Sequence, residues 1–325
     1  MNTHPYGFRI VGATTETRRL ITWAVAFSAY AACDSRANLD RECYLSAFTF
    51  GDEFRQRADG HGHGHVDVKG YAGACWSPFI WFDIDRDDLD RATADARRLA
   101  VSIDERYKLA DNVLLVFFSG SKGYHLGLPT WLWSPCPSVT FNAIARRFAE
   151  TLAASIGVVI DSGVYDKVRA FRAPNSRHQK TGLHKRRLTL DELVNMSTDR
   201  IVELAREPAP FDVREPLEVS QLARDDWQAA IETVEQQAAA IQQRRAESNG
   251  SATLNRATLE FIREGATTGD RHRLLFSAAA NLAVFGCPPA LAHALLTETG
   301  LDSGLPPKDV RRQIECGLNR SGVTQ

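Results

Sequence analysis

Short apolar runs alternate with amphipathic stretches through the first two thirds of the chain. Runs rich in β-branched and aromatic residues predict buried strands at 43–50, 79–85, 112–118, 124–128 and 157–161. Apolar residues at helical spacing predict helices at 14–32, 88–109 and 138–155. This alternation is typical of an α/β (α+β) domain whose mixed sheet is covered by helices.

The last third of the chain has helical spacing almost throughout. A long polar pattern, rich in Ala, Gln and Glu, covers residues 218–246. Shorter apolar stripes cover 254–320, with proline-containing turns at 286–289 and 304–307. The proline-rich run 206–216 marks a domain edge. We therefore expect a first domain over 1–215, a linker helix over 216–250 and a small all-α bundle over 251–325.

The strand predicted at 79–85 ends in two aspartates spaced i, i+2. Because side chains alternate along a strand, Asp83 and Asp85 emerge on one face. Adjacent acids repel each other unless a cation lies between them, and oxygen ligands suit Mg²⁺ or Mn²⁺. Asp161, at the end of its own predicted strand, would supply a third carboxylate. A strand end that merely faces solvent is the alternative for the first pair.

A glycine-rich turn, Ser119-Gly-Ser-Lys-Gly, separates the strands predicted at 112–118 and 124–128. Backbone amides at glycine can approach an anion closely, because no side chain blocks them. Lys122 supplies positive charge, and His125 supplies a directional donor. The alternative is an ordinary surface hairpin with one buried histidine.

The segment 167–187 is basic and contains no acid. If residues 164–171 are extended, Arg169 shares a face with Tyr165, whereas Arg172 lies on the other face unless the chain turns. Guanidinium groups placed directly after a candidate metal ligand are suited to bind phosphate oxygens. A solvated basic face is the alternative.

Composition narrows the class of protein. The chain has 325 residues, 44% hydrophobic and 24% charged, with a net charge of -1, which is typical of a globular protein. No apolar run has membrane-spanning length and no signal-peptide pattern begins the chain, so we expect a cytoplasmic protein without a membrane partner. A phosphate-binding loop of the motor ATPases is also absent.

Histidine and cysteine offer a second, weaker metal pattern. His61, His63 and His65 alternate with glycine, which predicts a surface loop, since ordering such a loop costs entropy. A transition-metal site completed by Cys43 or Cys75 is the alternative. The six cysteines form no C-x-x-C pair, so neither a zinc ribbon nor a disulfide framework is indicated.

Three stretches, taken in order, resemble the archaeo-eukaryotic primase superfamily, and most of all its primase-polymerase branch and the primases of plasmids and phages. The stretches are Phe-Asp83-Ile-Asp85, Ser119-Gly-Ser-Lys122-Gly-Tyr-His125, and Ile-Asp161 followed by Val-Tyr-x-x-x-Arg169-x-Phe-Arg172. They span residues 79–176. The C-terminal helices resemble the helical module that follows the catalytic domain in such primases.

The resemblance implies a catalytic domain over 1–215 with a sheet of the RRM-like primase type. It implies that the catalytic residues, which hold two Mg²⁺ or Mn²⁺ ions, are Asp83, Asp85 and Asp161. It further implies that the residues binding the nucleoside triphosphate are Ser119, Lys122, His125, Arg169 and Arg172.

The implied activity is template-directed nucleotidyl transfer from ribo- or deoxynucleoside triphosphates. It makes or extends primers on single-stranded DNA, for replication of a plasmid or phage. The zinc insertion and the fused helicase of some relatives are missing, so we expect a separate helicase partner. The alternatives are a non-catalytic replication initiator that binds DNA and a polymerase that repairs DNA ends. For the C-terminal module, the alternative is a bundle that serves stability or oligomerisation.

Overall fold

The computed structural model describes residues 3–58, 64–213, 218–247, 254–267 and 269–319. The chain divides into two compact units, Met1–Gln237 and Ala238–Gln325. The domain boundaries predicted at residues 215 and 250 stay predictions.

Ten strands form in the described residues, all in the first unit. They are β1 (Tyr6–Val11), β2 (Arg19–Thr22), β3 (Cys43–Ser46), β4 (Thr49–Phe50), β5 (Cys75–Trp76), β6 (Phe79–Asp85), β7 (Leu115–Phe118), β8 (Gly123–Pro129), β9 (Ala170–Arg172) and β10 (Arg186–Leu188). The α-helices are α1 (Trp23–Ala31), α2 (Asp52–Arg55), α3 (Leu89–Tyr107), α4 (Phe141–Ser155), α5 (Leu190–Asn195), α6 (Thr198–Leu204), α7 (Gln221–Glu247), α8 (Arg256–Glu264), α9 (Arg271–Val284), α10 (Pro289–Asp302) and α11 (Pro307–Asn319).

The first unit contains two antiparallel sheets. One has the order β5-β4-β1-β3-β9 with β2 paired to β1, and the other has the order β10-β7-β8-β6. The α+β class with a helical C-terminal part is confirmed. The described pairings are all antiparallel, where we expected a mixed sheet. Strands β6 and β7 do run parallel to each other, but β8 lies between them and is antiparallel to both.

Strand β6 has the predicted bounds and pairs along its whole length with β8. Its first residues are buried, Asp83 is partly buried and Asp85 is exposed, so the strand leads from the core to a surface. Helix α3 follows it and begins where the Asp88 side chain accepts a hydrogen bond from the Asp90 backbone N–H. The apolar stripe predicts this helix correctly, and the Asp88 cap fixes where it begins.

Two predicted elements near the N-terminus are divided in the structure. The helix predicted at 14–32 is β2 followed by α1, because Arg19–Thr22 pairs with β1. The strand predicted at 43–50 is β3 and β4, because the second part takes a new partner, β5, and Ala47 and Phe48 lie between them. In both segments, pairing with strands distant in the chain determines where the predicted element is divided.

The prediction of a strand at 157–161 is wrong, because these residues form no strand. Asp161 instead begins a 3₁₀ turn, Ser162–Tyr165, and its side chain accepts a hydrogen bond from the Gly163 backbone N–H. Its own backbone N–H donates to the carbonyl oxygen of Asp83 at 2.8 Å. Residue 161 therefore still lies beside the end of β6.

Residues 164–171 are not extended throughout, so the condition under which Arg169 and Tyr165 share a strand face is not met. The 3₁₀ turn is followed by residues outside any strand, and extended pairing begins only at β9. Within β9, Arg172 pairs with Tyr44 of β3. Strand β9 thus brings the basic segment to the edge of the first sheet.

The second unit is the helical bundle that the sequence predicts. Its core is formed by apolar residues of α8, α9, α10 and α11, including Phe261, Leu275, Leu296 and Ile314. The first part of α7 belongs to the other unit, where the Trp227 ring packs 5.2 Å from the Phe141 ring. No helix in the described ranges is long and apolar enough to span a membrane.

The histidine-glycine stretch is described only in part. His61 and His63 lie outside the described residues, and His65 forms an isolated antiparallel bridge with Arg19. The predicted surface loop stays a prediction.

Candidate functional site

A cavity of about 200 Å³ lies between the two sheets of the first unit. It is lined by Tyr44, Asp83, Asp85, Ser119, Ser121, Lys122, His125, Arg169, Ala170, Phe171, Arg172 and His178. Seven of the eight predicted site residues are in this lining. The eighth, Asp161, donates a hydrogen bond from its backbone N–H to the carbonyl oxygen of Asp83. The fold therefore brings the three sequence stretches together at one place.

Asp83 is the most deeply placed of the three acids. Its Oδ1 atom is buried and has no hydrogen-bond partner among the described residues. Burial, reinforced by the charges of Asp85 and Asp161, raises the pKa of this carboxyl to about 7, while Lys185 and Arg169 act in the opposite direction. A buried carboxylate oxygen without a partner is costly and is suited to bind a cation.

His125 lies opposite Asp83 in the pairing of β6 with β8. Its Nε2 atom is 3.4 Å from Oδ1 of Asp83, and its ring lies 4.4 Å from the ring of Phe171, centroid to centroid. Burial, followed by the charges of Lys185 and Arg172, holds the pKa of His125 well below its ordinary value. The imidazole is therefore neutral at neutral pH, and the neighbouring carboxylate favours a proton on Nε2.

The glycine turn between β7 and β8 has a packing role that the sequence did not predict. A Cβ atom at Gly123 would collide with the carbonyl oxygen of Ile84, so glycine is required for the close approach of β8 to the end of β6. Gly120 has φ +83° and lies against the carbonyl oxygen of Leu183. Within this turn, Lys122 is exposed, with Nζ 4.0 Å from Oδ1 of Asp87.

Asp161 does not direct both carboxylate oxygens toward the cavity. Its Oδ1 atom accepts a hydrogen bond from Gly163 at 2.8 Å. Within the described ranges, no three or more His, Cys, Asp or Glu side chains are arranged to hold a metal ion. The three neighbouring carboxylates are nevertheless the donor type that Mg²⁺ and Mn²⁺ require, and the buried Oδ1 of Asp83 accepts no hydrogen bond from the described residues, with Nε2 of His125 at 3.4 Å.

The two predicted arginines have different surroundings. Arg172 is paired with Glu42 at 2.8 Å, with both side chains 13% exposed, and its guanidinium lies 5.5 Å from the ring centroid of Tyr44. Arg169 lines the cavity and its charge lowers the pKa of Asp83. Arg172 is thus held by partners from the first sheet, and Arg169 acts toward the acids.

Sequence reasoning did not single out four residues of this region: Tyr44, Ser121, His178 and Lys185. Ser121 falls inside the glycine turn, and the other three are brought in by strand pairing or by the segment after β9. Lys185 is the clearest omission, because it is 1% exposed although a basic run predicts a solvated face. Burial and the nearby Arg172 hold the pKa of Lys185 well below its ordinary value, with Asp83 opposing them.

Comparisons with known proteins show only remote likeness. No protein-family model and no curated protein matches the chain. The crystal structure of primase RepB' is 14% identical over 99% of this chain and 95% of that chain, with a TM-score of 0.35. The polymerase domain of Mycobacterium tuberculosis Ligase D in complex with DNA is 14% identical over 62% of this chain and 81% of that chain, with a TM-score of 0.35. Because both TM-scores lie below 0.5, we take the chemistry of the site from its own residues.

Proposed function

We propose that the chain is a DNA primase-polymerase, which joins nucleotides on a single-stranded DNA template to make or extend primers. The observation that carries this proposal is the presence of opposite charges in the lining of one cavity: the carboxylates of Asp83 and Asp85, and the cationic side chains of Lys122 and Arg169. A nucleoside triphosphate bound to divalent ions requires both kinds of group.

In this proposal Asp83, Asp85 and Asp161 hold Mg²⁺ or Mn²⁺. Bound there, the ions supply Lewis-acid activation of the attacking hydroxyl and stabilise the charge of the departing pyrophosphate. The protein contributes two carboxylates fixed on one face of a fully paired strand, with a third brought alongside by a backbone hydrogen bond. Such rigid support keeps donor groups in place without a further ordering cost.

The cationic side of the cavity binds and orients the triphosphate. Lys122, which is exposed at the turn, and Ser119, which is buried where the turn begins, contact phosphate oxygens in this proposal. Arg169 offers a planar fork of donors. Arg172 acts mainly through its ion pair with Glu42, which fixes the wall of the cavity. Neutral His125 closes the floor beside Asp83.

Incubation of the full chain with unprimed single-stranded DNA, Mg²⁺ or Mn²⁺ and labelled nucleotides tests this function. We expect labelled products longer than the substrate nucleotides, made only when a divalent ion is present. Supplying ribo- and deoxynucleotides separately identifies the substrate. Asp111→Asn, at an exposed turn outside the cavity, is the matched control and should retain full activity. Tight DNA binding without any incorporation would instead indicate a replication initiator.

A further inference from the structure

Lys185 is a buried lysine that the proposed reaction does not use. It lies directly before β10 and its backbone is bonded to the segment after β9, through Ser176 and Asn175. Its Nζ atom donates a hydrogen bond to the carbonyl oxygen of Arg172 at 2.8 Å. Both ends of the residue are therefore fixed against the strand that carries the basic wall of the cavity.

Three aromatic rings surround the ammonium group. The Nζ atom lies 4.3 Å from the ring centroid of Phe171, 4.8 Å from that of Phe117 and 5.2 Å from that of Trp81. These rings come from β9, β7 and β6, so both sheets contribute to the cage. Burial and the charge of Arg172 lower the pKa of Lys185 and so favour the neutral amine. The ring faces, the carbonyl oxygen of Arg172 and the charge of Asp83 oppose them and favour the ammonium.

The cage lies behind the candidate metal ligands. Trp81 and Asp83 are two residues apart on β6 and share a face, and Phe117 pairs with His125 in the ladder of β7 and β8. The Phe171 ring, whose centroid is 4.3 Å from Nζ of Lys185, also lies 4.4 Å from the ring of His125, and Nε2 of His125 is 3.4 Å from Oδ1 of Asp83. The ammonium is thus a positive charge fixed behind the most buried carboxylate.

Packing alone does not explain a lysine at this position. An aliphatic chain of similar length, such as methionine, would fill the aromatic cage without the cost of burying a charge. A buried cation is useful where it offsets another buried charge, and Asp83 is repelled by Asp85 and Asp161.

We propose that Lys185 is an internal counter-ion of Asp83. As a positioning residue, it holds the acidic end of β6 in place when no divalent ion is bound, and its repulsion limits how tightly the site binds one. The inference rests on the proposed function for the existence of the metal site. It adds that one positive charge of that site is built into the fold.

Thermal unfolding of the full chain, in EDTA and again with millimolar Mn²⁺, tests the inference. Lys185→Met keeps the packing and removes the charge, so its melting temperature should rise more on adding Mn²⁺ than that of the unchanged protein. Calorimetric titration should show Mn²⁺ binding on the order of tenfold tighter in the variant. Lys167→Met is the matched control, since Lys167 also donates to backbone carbonyls but lies outside the cage.

Equal responses to Mn²⁺ in Lys185→Met and the unchanged protein would overturn the inference alone. If the unchanged protein itself does not respond to Mn²⁺, the metal site fails and the inference fails with it. If Lys185→Met does not fold, the double variant Asp83→Asn/Lys185→Met tests whether Lys185 compensates the charge of Asp83. Folding restored by Asp83→Asn supports charge compensation, and a double variant that stays unfolded contradicts it.

Discussion

Asp83 is the residue at which stability and the proposed function oppose each other. Its carboxyl has a pKa of about 7 in the folded protein, above the unfolded value of about 3.9. A carboxyl with a raised pKa destabilises the fold progressively as the pH rises from about 4 to about 7, because ionisation is easier in the unfolded chain. The site therefore stores unfavourable electrostatic energy that a bound cation would release.

The variant Asp83→Asn should stabilise the fold and abolish the proposed activity. The neutral amide keeps the shape of the side chain and removes the buried charge, so in EDTA at pH 8 the melting temperature should rise by roughly 5 °C. The gain should be smaller at pH 5, where the native carboxyl is protonated. Nucleotide incorporation should be lost. Melting curves at both pH values, with Asp111→Asn as the unchanged control, check this; a lower melting temperature at pH 8 would contradict it.

At the scale of elements, the sequence predicts those that have a local pattern and does not predict those that depend on pairing with distant strands. The sequence predicts strand β6 and helix α3 because an apolar run and an amphipathic stripe are local signals. The run before Asp161 has the same apolar character, but it forms no ladder, and the hydrogen bond from Gly163 favours a turn. Composition alone does not distinguish a paired run from an unpaired one.

Site residues, too, were predictable where they depend on neighbouring strands and not where they depend on distant segments. The motif residues of β6 and of the adjoining turn meet because they lie on strands that pair directly. Lys185 and Glu42 were not predictable, because their partners come from segments distant in the chain: the rings of both sheets for Lys185, and Arg172 for Glu42.

Gly123→Ala tests the contact between β8 and β6. The added Cβ collides with the backbone carbonyl of Ile84, so the strand ends must separate, at a cost of about 2 kcal/mol in the free energy of unfolding. Because Asp85 is at that strand end, nucleotide incorporation should also fall. Urea denaturation and the incorporation assay measure the two effects.

Gly70→Ala is the control for this variant. Gly70 has φ +67° and no atom near its missing Cβ, so only the backbone strain of about 1 kcal/mol is expected, with incorporation unchanged. Equal losses of stability and activity in the two variants would contradict the role assigned to Gly123.

At the scale of the whole molecule, the described residues form two separate hydrophobic cores. The residues of the first core all precede α8, and those of the second lie between Leu254 and Leu318. The candidate site belongs entirely to the first unit. The first unit is therefore expected to fold and to extend a primer after the second unit is removed.

A chain that ends at Ser251 should unfold cooperatively and extend a primed template at the rate of the full chain. If the C-terminal bundle grips the first nucleotide and the template, synthesis on an unprimed template should be lost. The primed template is the internal control. Unimpaired initiation by the shortened chain would indicate that the bundle serves stability or oligomerisation instead.

The most direct test of the central claim is nucleotide incorporation by the double variant Asp83→Ala/Asp85→Ala, measured beside its binding to single-stranded DNA. Because both carboxylates line the cavity but belong to a strand whose pairing is made by the backbone, we expect an intact fold and unchanged DNA binding. Incorporation should fall to background with either Mg²⁺ or Mn²⁺. Extension by the double variant at the rate of the unchanged protein would contradict the proposed function.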